Sequence, residues 1–366
     1  MSRSPMSAQS VTILGAGPTG LSAALALNDR GHTVRILERN SSGTNESRAV
    51  AVNRRSLRHF ETVDASAPIL EVGEAVRCAR FFYNGEPLTA LQIPLPETGP
   101  PAMVALPQDV TEKILAERLS AQGIEVAWST EARDISQTTG KATVHAKGPD
   151  GEIEIESDFV LGADGSRSIT RKTLGVAFDG RKYDGEWELI DVAVDWPWPD
   201  AGIAAHFNDP ASVLFMVTLG NGRFRAIGNS HNVEENVRKL MPIKDINWHN
   251  QFTLSERCVD RFGKGRIWLA GDAAHIHSPV GGMGMNLGID DAFDFAATVG
   301  TGDFESYNTR RLKAANIVMK NADRGFRLIT SRSGFVRRLR NTLLRTLGAS
   351  PYLQGVLFRT VLAVDE

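Results

Sequence analysis

The stretch from Val11 to Glu38 restricts the fold more than any other part of the chain. Val11 to Leu14 is a short apolar run that leads into the turn GAGPTG, Gly15 to Gly20, and Pro18 to Asp29 follows as an alanine- and leucine-rich segment of helical length. Gly31 stops that helix, and Thr33 to Leu37 supplies a second strand parallel to the first. This is a βαβ unit. In its turn, Gly15 permits the tight bend, Gly17 lets the backbone approach a pyrophosphate, and Gly20 lets helix and strand pack closely. The helix start offers free N–H groups and a positive dipole end to phosphates. Glu38 lies 18 residues after Gly20, where a carboxylate accepts hydrogen bonds from an adenosine ribose and disfavours a 2′-phosphate. The unit reads as a dinucleotide site, and by itself it admits FAD and NAD equally.

Two further signatures decide between them. GADGSRS, Gly162 to Ser168, follows the apolar strand Asp158 to Leu161, and GDAAHIHSPVGGMGMNLG, Gly271 to Gly288, follows the strand Arg266 to Ala270. Each sits at a strand end, where open α/β sheets bind cofactors, so both can converge on one ligand. Gly281, Gly282, Gly284 and Gly288 allow a backbone to lie against a flat ring, and Met285 to Ala297 can start a helix whose dipole faces that ring. A reduced flavin carries the negative charge such a dipole stabilises.

The rest of the chain suggests a second unit. Arg80 to Gln92 and Trp187 to Gly228 are β-rich runs broken by Gly, Pro, Asn and Asp, as expected of an antiparallel sheet inserted into the first domain. Between them, Asp109 to Gln122 is helical by pattern, with Val110, Ile114, Leu115 and Leu119 on one face, and Ile124 to Trp128 reads as a strand. From Phe304 onward the pattern is helical and basic, with Arg337, Arg338, Arg340 and Arg345 around Leu339, Leu343 and Leu344. The apolar face of that last helix is expected to pack on the domain. Met1 to Ser10 reads as a frayed leader. The division expected is a discontinuous cofactor domain over 11–79, 104–175 and 258–330, a substrate domain over 80–103 and 176–257, and a helical segment over 331–366. The fold class is α/β, a Rossmann-like domain with an inserted antiparallel sheet and C-terminal helices.

A formal charge of −2 removes any electrostatic case for nucleic acid, so the partners expected are small molecules. Cys78 and Cys258 match no metal or redox spacing, which favours a reducing, cytoplasmic setting. No run of about 18 apolar residues suggests a membrane span, and the start has no signal-peptide pattern. His275 and His277 stand at i, i+2 without a third ligand, so structural roles are expected of them and no metal.

On these three signatures, the chain resembles the single-component FAD-dependent aromatic hydroxylases of the para-hydroxybenzoate hydroxylase type, in the branch with phenol and polyketide hydroxylases. The resemblance covers nearly all of Val11 to Val361. It implies that Gly15, Gly17, Pro18, Thr19, Gly20, Glu38 and Arg39 serve the ADP half of FAD and that Arg48 reaches the pyrophosphate side. It puts Gln108 on the ribityl chain, Asp164 where FAD and NAD(P)H binding are linked, and Gly271 with Asp272 on the ribityl and phosphate groups. Pro279 would lie beside the isoalloxazine, with the backbone of Gly282, Gly284, Met285 and Asn286 near its pyrimidine edge. Pro279 and Asp164 are thus the candidate catalytic positions. Arg167 and Arg171 read as structural salt-bridge partners.

The reaction implied uses NADH or NADPH to reduce FAD and O2 to form a flavin C4a-hydroperoxide, which hydroxylates an electron-rich aromatic ring. Substrate contacts are expected from the inserted sheet, with Phe82, His206, Phe215 and Met216 as candidates. Thr218, Asp294 and the short span Val233 to Ile246 depart from the family pattern, and all three are expected to touch the substrate half or its supports. The chain ends near where larger relatives continue into a thioredoxin-like domain, which is expected to be absent. A monomer or homodimer is expected. Two alternatives remain: another flavoenzyme on this scaffold, such as a halogenase or dehydrogenase, or a flavin- or ligand-binding protein without turnover. Trp196-Pro-Trp198-Pro resembles the halogenase tryptophan signature but lacks its Ile-Pro.

Overall fold

The computed structural model describes residues 8–43, 49–220, 222–229, 232–278, 282–350 and 352–354. Its helices are α1 (Pro18–Asp29), α2 (Arg54–Glu61), α3 (Ser66–Val72), α4 (Gln108–Ala121), α5 (Ile169–Leu174), α6 (Val233–Leu240), α7 (Met283–Thr301), α8 (Phe304–Ile329) and α9 (Gly334–Ala349).

The βαβ unit forms the middle of a six-stranded sheet. Ser10–Leu14 pairs in parallel with Thr33–Leu37 on one side and with Phe159–Gly162 on the other, and Phe159–Gly162 pairs in parallel with Ile267–Leu269. Three neighbouring parallel strands therefore deliver the three signature loops to one edge of the sheet, the carboxyl end where ligands bind. The core behind that edge joins Ile13, Leu25, Ile36 and Leu161 to Phe295 and Tyr307, all buried. Tyr307 of α8 donates its hydroxyl to the Leu269 carbonyl at 2.8 Å, so the buried phenol is satisfied.

Three local features differ from expectation. Of the stretch Ile124 to Trp128, only Val126–Ala127 pairs, because only Ile36 and Leu37 are opposite it. Helix α7 starts two residues before Met285 and runs on to Thr301, since Thr298 and Val299 continue its buried face until Gly302 stops it at φ 69°. A three-stranded antiparallel sheet, Glu131–Gln137, Ala142–Gly148 and Gly151–Ser157, was not foreseen. Its Ile135, Val144 and Ile155 pack with Leu14 and Val160 of the main sheet.

The inserted sheet has seven strands in the order Ile243–Phe252, Trp187–Val194, Arg223–Gly228, Ser212–Gly220, Gly202–Asn208, Cys78–Tyr83 and Glu86–Gln92. All neighbours are antiparallel except Gly202–Asn208 with Cys78–Tyr83, a pair joined through the cofactor half of the chain. Alternation gives the sheet two distinct faces. On one, Ala204, Leu214, Met216 and Phe224 pack with Val233 and Val237 of α6. On the other, Phe215 packs with Phe326 and Ile329 of α8 and Leu344 of α9, while Ile203 and Val217 meet Ala51, Met103 and Ala105.

The departures from the family pattern divide accordingly. Thr218, paired with Phe224, and the α6 span lie on the covered face and support the sheet from behind. Asp294 is elsewhere, contrary to expectation. It sits on α7 and forms ion pairs with Arg310 and Arg311 of α8, within the cofactor half.

Candidate active site

The first turn is shaped by its neighbours. Gly15 has φ 103°, and a Cβ there would fall 2.4 Å from the Ala163 carbonyl oxygen, so the first signature lies directly on the second. A Cβ on Gly20 would fall 1.9 Å from the Gly15 carbonyl oxygen, which explains the close strand–helix contact. Gly17 is different: among the described residues the nearest atom to a Cβ there is Glu112 Oε1 at 4.0 Å, so their packing does not demand a glycine. Helix α1 begins at this open position with Pro18 in its first turn, no side-chain cap and no acidic residue. Its positive end is left for an anion. The Ala16 N–H donates to Glu38 Oε2 at 2.9 Å and the Asn40 N–H to Oε1 at 3.0 Å, fixing the carboxylate beside the turn with further lone pairs to offer. Arg39 is exposed next to it.

Asp164 does two things. Its Oδ2 accepts the Ile169 and Thr170 N–H groups at 2.8 and 3.1 Å, capping α5 together with Ser168. Its Oδ1 is buried without a hydrogen-bond partner among the described residues. Arg171 forms no salt bridge among the described residues. It donates to the Ala273 carbonyl at 2.9 Å and the Ser166 carbonyl at 2.8 Å, tying the second signature to the third, while its guanidinium lies 3.8 Å from the Phe178 ring centroid. Arg167 is exposed. Gln108 stands at the start of α4, where its Oε1 accepts the Ala49 N–H at 3.2 Å and its Nε2 donates to Glu112 at 2.8 Å.

The third signature is keyed to the first through Thr19. A Cβ on Gly271 or Gly288 would fall 2.5 or 2.3 Å from Thr19 Oγ1, so α1 lodges against both. Behind this seam is a buried ionic cluster that the sequence did not announce. Asp291 accepts the Gly271 N–H at 2.9 Å, His275 Nε2–H at 2.6 Å and Arg311 Nε–H at 2.5 Å. Burial alone would raise the Asp291 carboxyl, but Arg311 and His275 outweigh it and hold it below its ordinary value. Asp272 is exposed beside this anchored turn.

Helix α7 starts from Gly282 with no side-chain cap and no acidic first turn. Asn286 is consumed structurally: its Oδ1 accepts from the Asn53 N–H and the Ser56 hydroxyl, and its Nδ2 donates to the Ala51 and Gly282 carbonyls. Its backbone, with that of Gly284 and Met285, remains at the helix start. His277 is held neutral by burial. Its Nδ1 faces the Ser278 carbonyl at 2.8 Å and so carries the ring proton, leaving Nε2 without a partner among the described residues, 3.8 Å from the Cβ position of Gly284. Arg48, Pro279 and Gly281 lie outside the described residues.

The four sheet candidates do not form one surface. Phe82 stacks on His206 at 4.4 Å between ring centroids, and Phe82 and Met216 both pack in the α6-side core. Burial depresses His206 to about 4. Phe215 alone lies on the opposite face, half-buried against Phe326 and Ile329 of α8 and Leu344 of α9, on the side where Val217 meets Ala51. The same face carries Arg225, fully buried and held by both oxygens of Asp191 at 2.7 and 2.6 Å.

An open glycine under an uncapped helix, a fixed carboxylate at the end of the second strand and an Asp164 oxygen unpartnered among the described residues together suit an FAD laid along the three loops. The chain matches the family described as FAD binding domain over residues 8–322 and belongs to it, and FAD is its cofactor. It is 31% identical over 375 residues to rifampicin monooxygenase of Streptomyces venezuelae, an alignment covering 94% of this chain and 77% of that protein. It is 29% identical over 341 residues to pentachlorophenol 4-monooxygenase of Sphingobium chlorophenolicum, covering 85% of this chain and 63% of that one. The chain thus spans less than two thirds of that second relative. The fold superposes on p-nitrophenol 4-monooxygenase of Pseudomonas putida with a TM-score of 0.87 at 24% identity, covering 98% and 99% of the two chains. The class is that of the flavin-dependent aromatic monooxygenases. No described helix is long and apolar enough to cross a membrane.

Proposed function

We propose that the protein hydroxylates a phenolic or polyketide-like ring with one atom of O2, using NADH or NADPH as reductant in the cytoplasm. The observation that carries this reading is the convergence of the three loops on an open Gly17, beside a sheet whose Ile203 and Val217 pack on Ala51 and Met103. FAD, when bound, supplies the redox and oxygen chemistry. Residues 11–79, 104–175 and 258–330 hold it, and residues 80–103 and 176–257 close over the substrate.

Each residue has a role on this reading. The α1 start and Gly17 take the pyrophosphate, and Glu38 takes the adenosine ribose. Gln108 and Asp272 take the ribityl chain. The uncapped start of α7, with the Gly284 to Asn286 backbone, stabilises negative charge at the cofactor edge. His277, pushed below its ordinary value by burial, offers its Nε2 there as a hydrogen-bond acceptor. Asp164 Oδ1 couples the reductant to the cofactor. Phe215 and its neighbours orient the ring and keep water from the reacting atoms.

The experiment is oxidation of NADH and NADPH by the FAD-loaded chain with and without simple phenols, hydrogen peroxide being measured alongside, under isotopically labelled dioxygen. Substrate-stimulated oxidation with label in the product is expected. Product oxygen drawn only from water, or no stimulation by any phenol tried, rejects the reading.

A further inference from the structure

Between Arg324 and Val364 the sequence holds eight arginines and no acidic residue, in a chain whose formal charge is −2. Helix α9 lies in this basic stretch and has two apolar stripes, of which the cofactor reading uses neither.

The inner stripe satisfies the packing a C-terminal helix needs. Leu344 and Leu347 join the sheet-side cores, and Arg340 is buried with its guanidinium 4.0 Å from the Phe207 ring centroid. A Cβ on Gly348 would fall 1.6 Å from Thr89 Oγ1, so the helix end is pressed onto the strand Glu86–Gln92. Arg337 donates to the Pro210 carbonyl at 2.9 Å. The helix is anchored without its second stripe.

That second stripe is the ridge Phe335, Leu339 and Leu343, spaced four apart and 76%, 56% and 49% exposed. It runs about 12 Å along the helix. Arg332, Arg338 and Arg345 are exposed as well, and Arg338 and Arg345 flank the ridge on one side. A ridge of large apolar side chains beside basic ones is the pattern of a helix lying in a membrane interface, with the arginines meeting lipid phosphates. A second copy docking ridge to ridge would set Arg338 and Arg345 against their own duplicates. The charge is complementary to an anionic surface.

We propose that the outer face of α9 docks the enzyme peripherally on anionic lipid bilayers, with Phe335, Leu339 and Leu343 entering the interface and Arg338 and Arg345 pairing with headgroup phosphates. The docking is reversible and needs no spanning helix. It places the pocket where apolar aromatic compounds partition.

The test is sedimentation of the FAD-loaded full chain with phosphatidylcholine vesicles containing about one-quarter phosphatidylglycerol, against pure phosphatidylcholine. Binding to the anionic vesicles alone, weakening as salt is raised, is expected. Arg338→Glu with Arg345→Glu should lower the partition coefficient by at least about 25-fold, since each surface arginine contributes roughly a factor of five. Leu339→Ser with Leu343→Ser should abolish binding while leaving FAD content and melting temperature unchanged. Equal binding to both vesicles, or none, overturns the proposal. So does a wild-type dimer in light scattering that the leucine variant converts to monomer, because the ridge would then belong to a second copy.

Discussion

The nucleotide end and the seven-stranded sheet are built on opposite logics. At the nucleotide end the backbone makes the site: Gly15 lies on Ala163, Thr19 on Gly271 and Gly288, and Arg171 grips the Ala273 carbonyl. In the sheet, side-chain parity decides everything, so that Phe215 faces α8 and α9 while Met216, its neighbour, packs on the α6 side. Where a site consists of close backbone approaches it constrains residue type. Where it consists of alternating side chains it constrains only position.

The sharpest attack on the first half is Gly17→Val. With no atom of the described residues within 4.0 Å of a Cβ other than Glu112 Oε1, the variant should fold, yet its side chain would occupy the place proposed for the pyrophosphate. FAD affinity should fall at least about a thousandfold, about 4 kcal/mol, with little change in apoprotein melting, read by flavin titration and circular dichroism. Retained FAD would show that Gly17 is as indifferent to ligand as it is to packing. The second half is tested by a pair. Met216→Ala, in the α6-side core, should cost about 3 kcal/mol in urea denaturation and leave coupling of NAD(P)H oxidation to product unchanged. Phe215→Ala should cost less stability but divert oxidation to hydrogen peroxide. Matching effects from the two would erase the distinction between faces.

His206 gives the covered face a pH signature. Its folded-state value, near 4, is below the ordinary 6.5, so the unfolded chain binds the proton first and stability falls as pH drops below 6.5. Between pH 7 and pH 5 the loss should be about 2 kcal/mol, and His206→Phe should remove that share. An unchanged pH slope in the variant would mean the ring is solvated. The smallest effect expected is at Asp164→Asn. The amide oxygen can still accept from Ile169 and Thr170, so melting should move by no more than about 2 °C. Reduction by NAD(P)H should slow about tenfold in rapid mixing if Oδ1 couples the nucleotides.

The same contrast explains what could be read in advance. The three loops, their strands and the βαβ order were legible because glycine at 15, 20, 271 and 288 answers to steric demands that no other residue meets. The division of Phe82, His206, Phe215 and Met216 between faces was not, because a one-residue uncertainty in register reverses every side chain. Arg171 and Arg311 were obscured for another reason. Arginines are usually solvated, and only the tertiary fold reveals that one grips carbonyls and the other a buried carboxylate. The Asp290-Asp291 pair of α7 together with Arg310-Arg311 of α8 was the signal available. The sheet of residues 131–157 was missed because its apolar positions are few: Ile135, Val144 and Ile155 are each flanked by polar residues.

The adjacency of Phe215 and Met216 bears on how such an enzyme changes over generations. Along Ser212–Gly220, Val213, Phe215 and Val217 face α8, α9 and Ala51, while Leu214, Met216 and Thr218 lie on the α6 side. With Phe215 at the substrate as proposed, variation selected for new substrates falls on Phe215 and is purged from the buried Leu214 and Met216 beside it. A single-residue insertion in this strand would exchange the two sets at one stroke, so new specificities on this sheet should arise by substitution and almost never by indels.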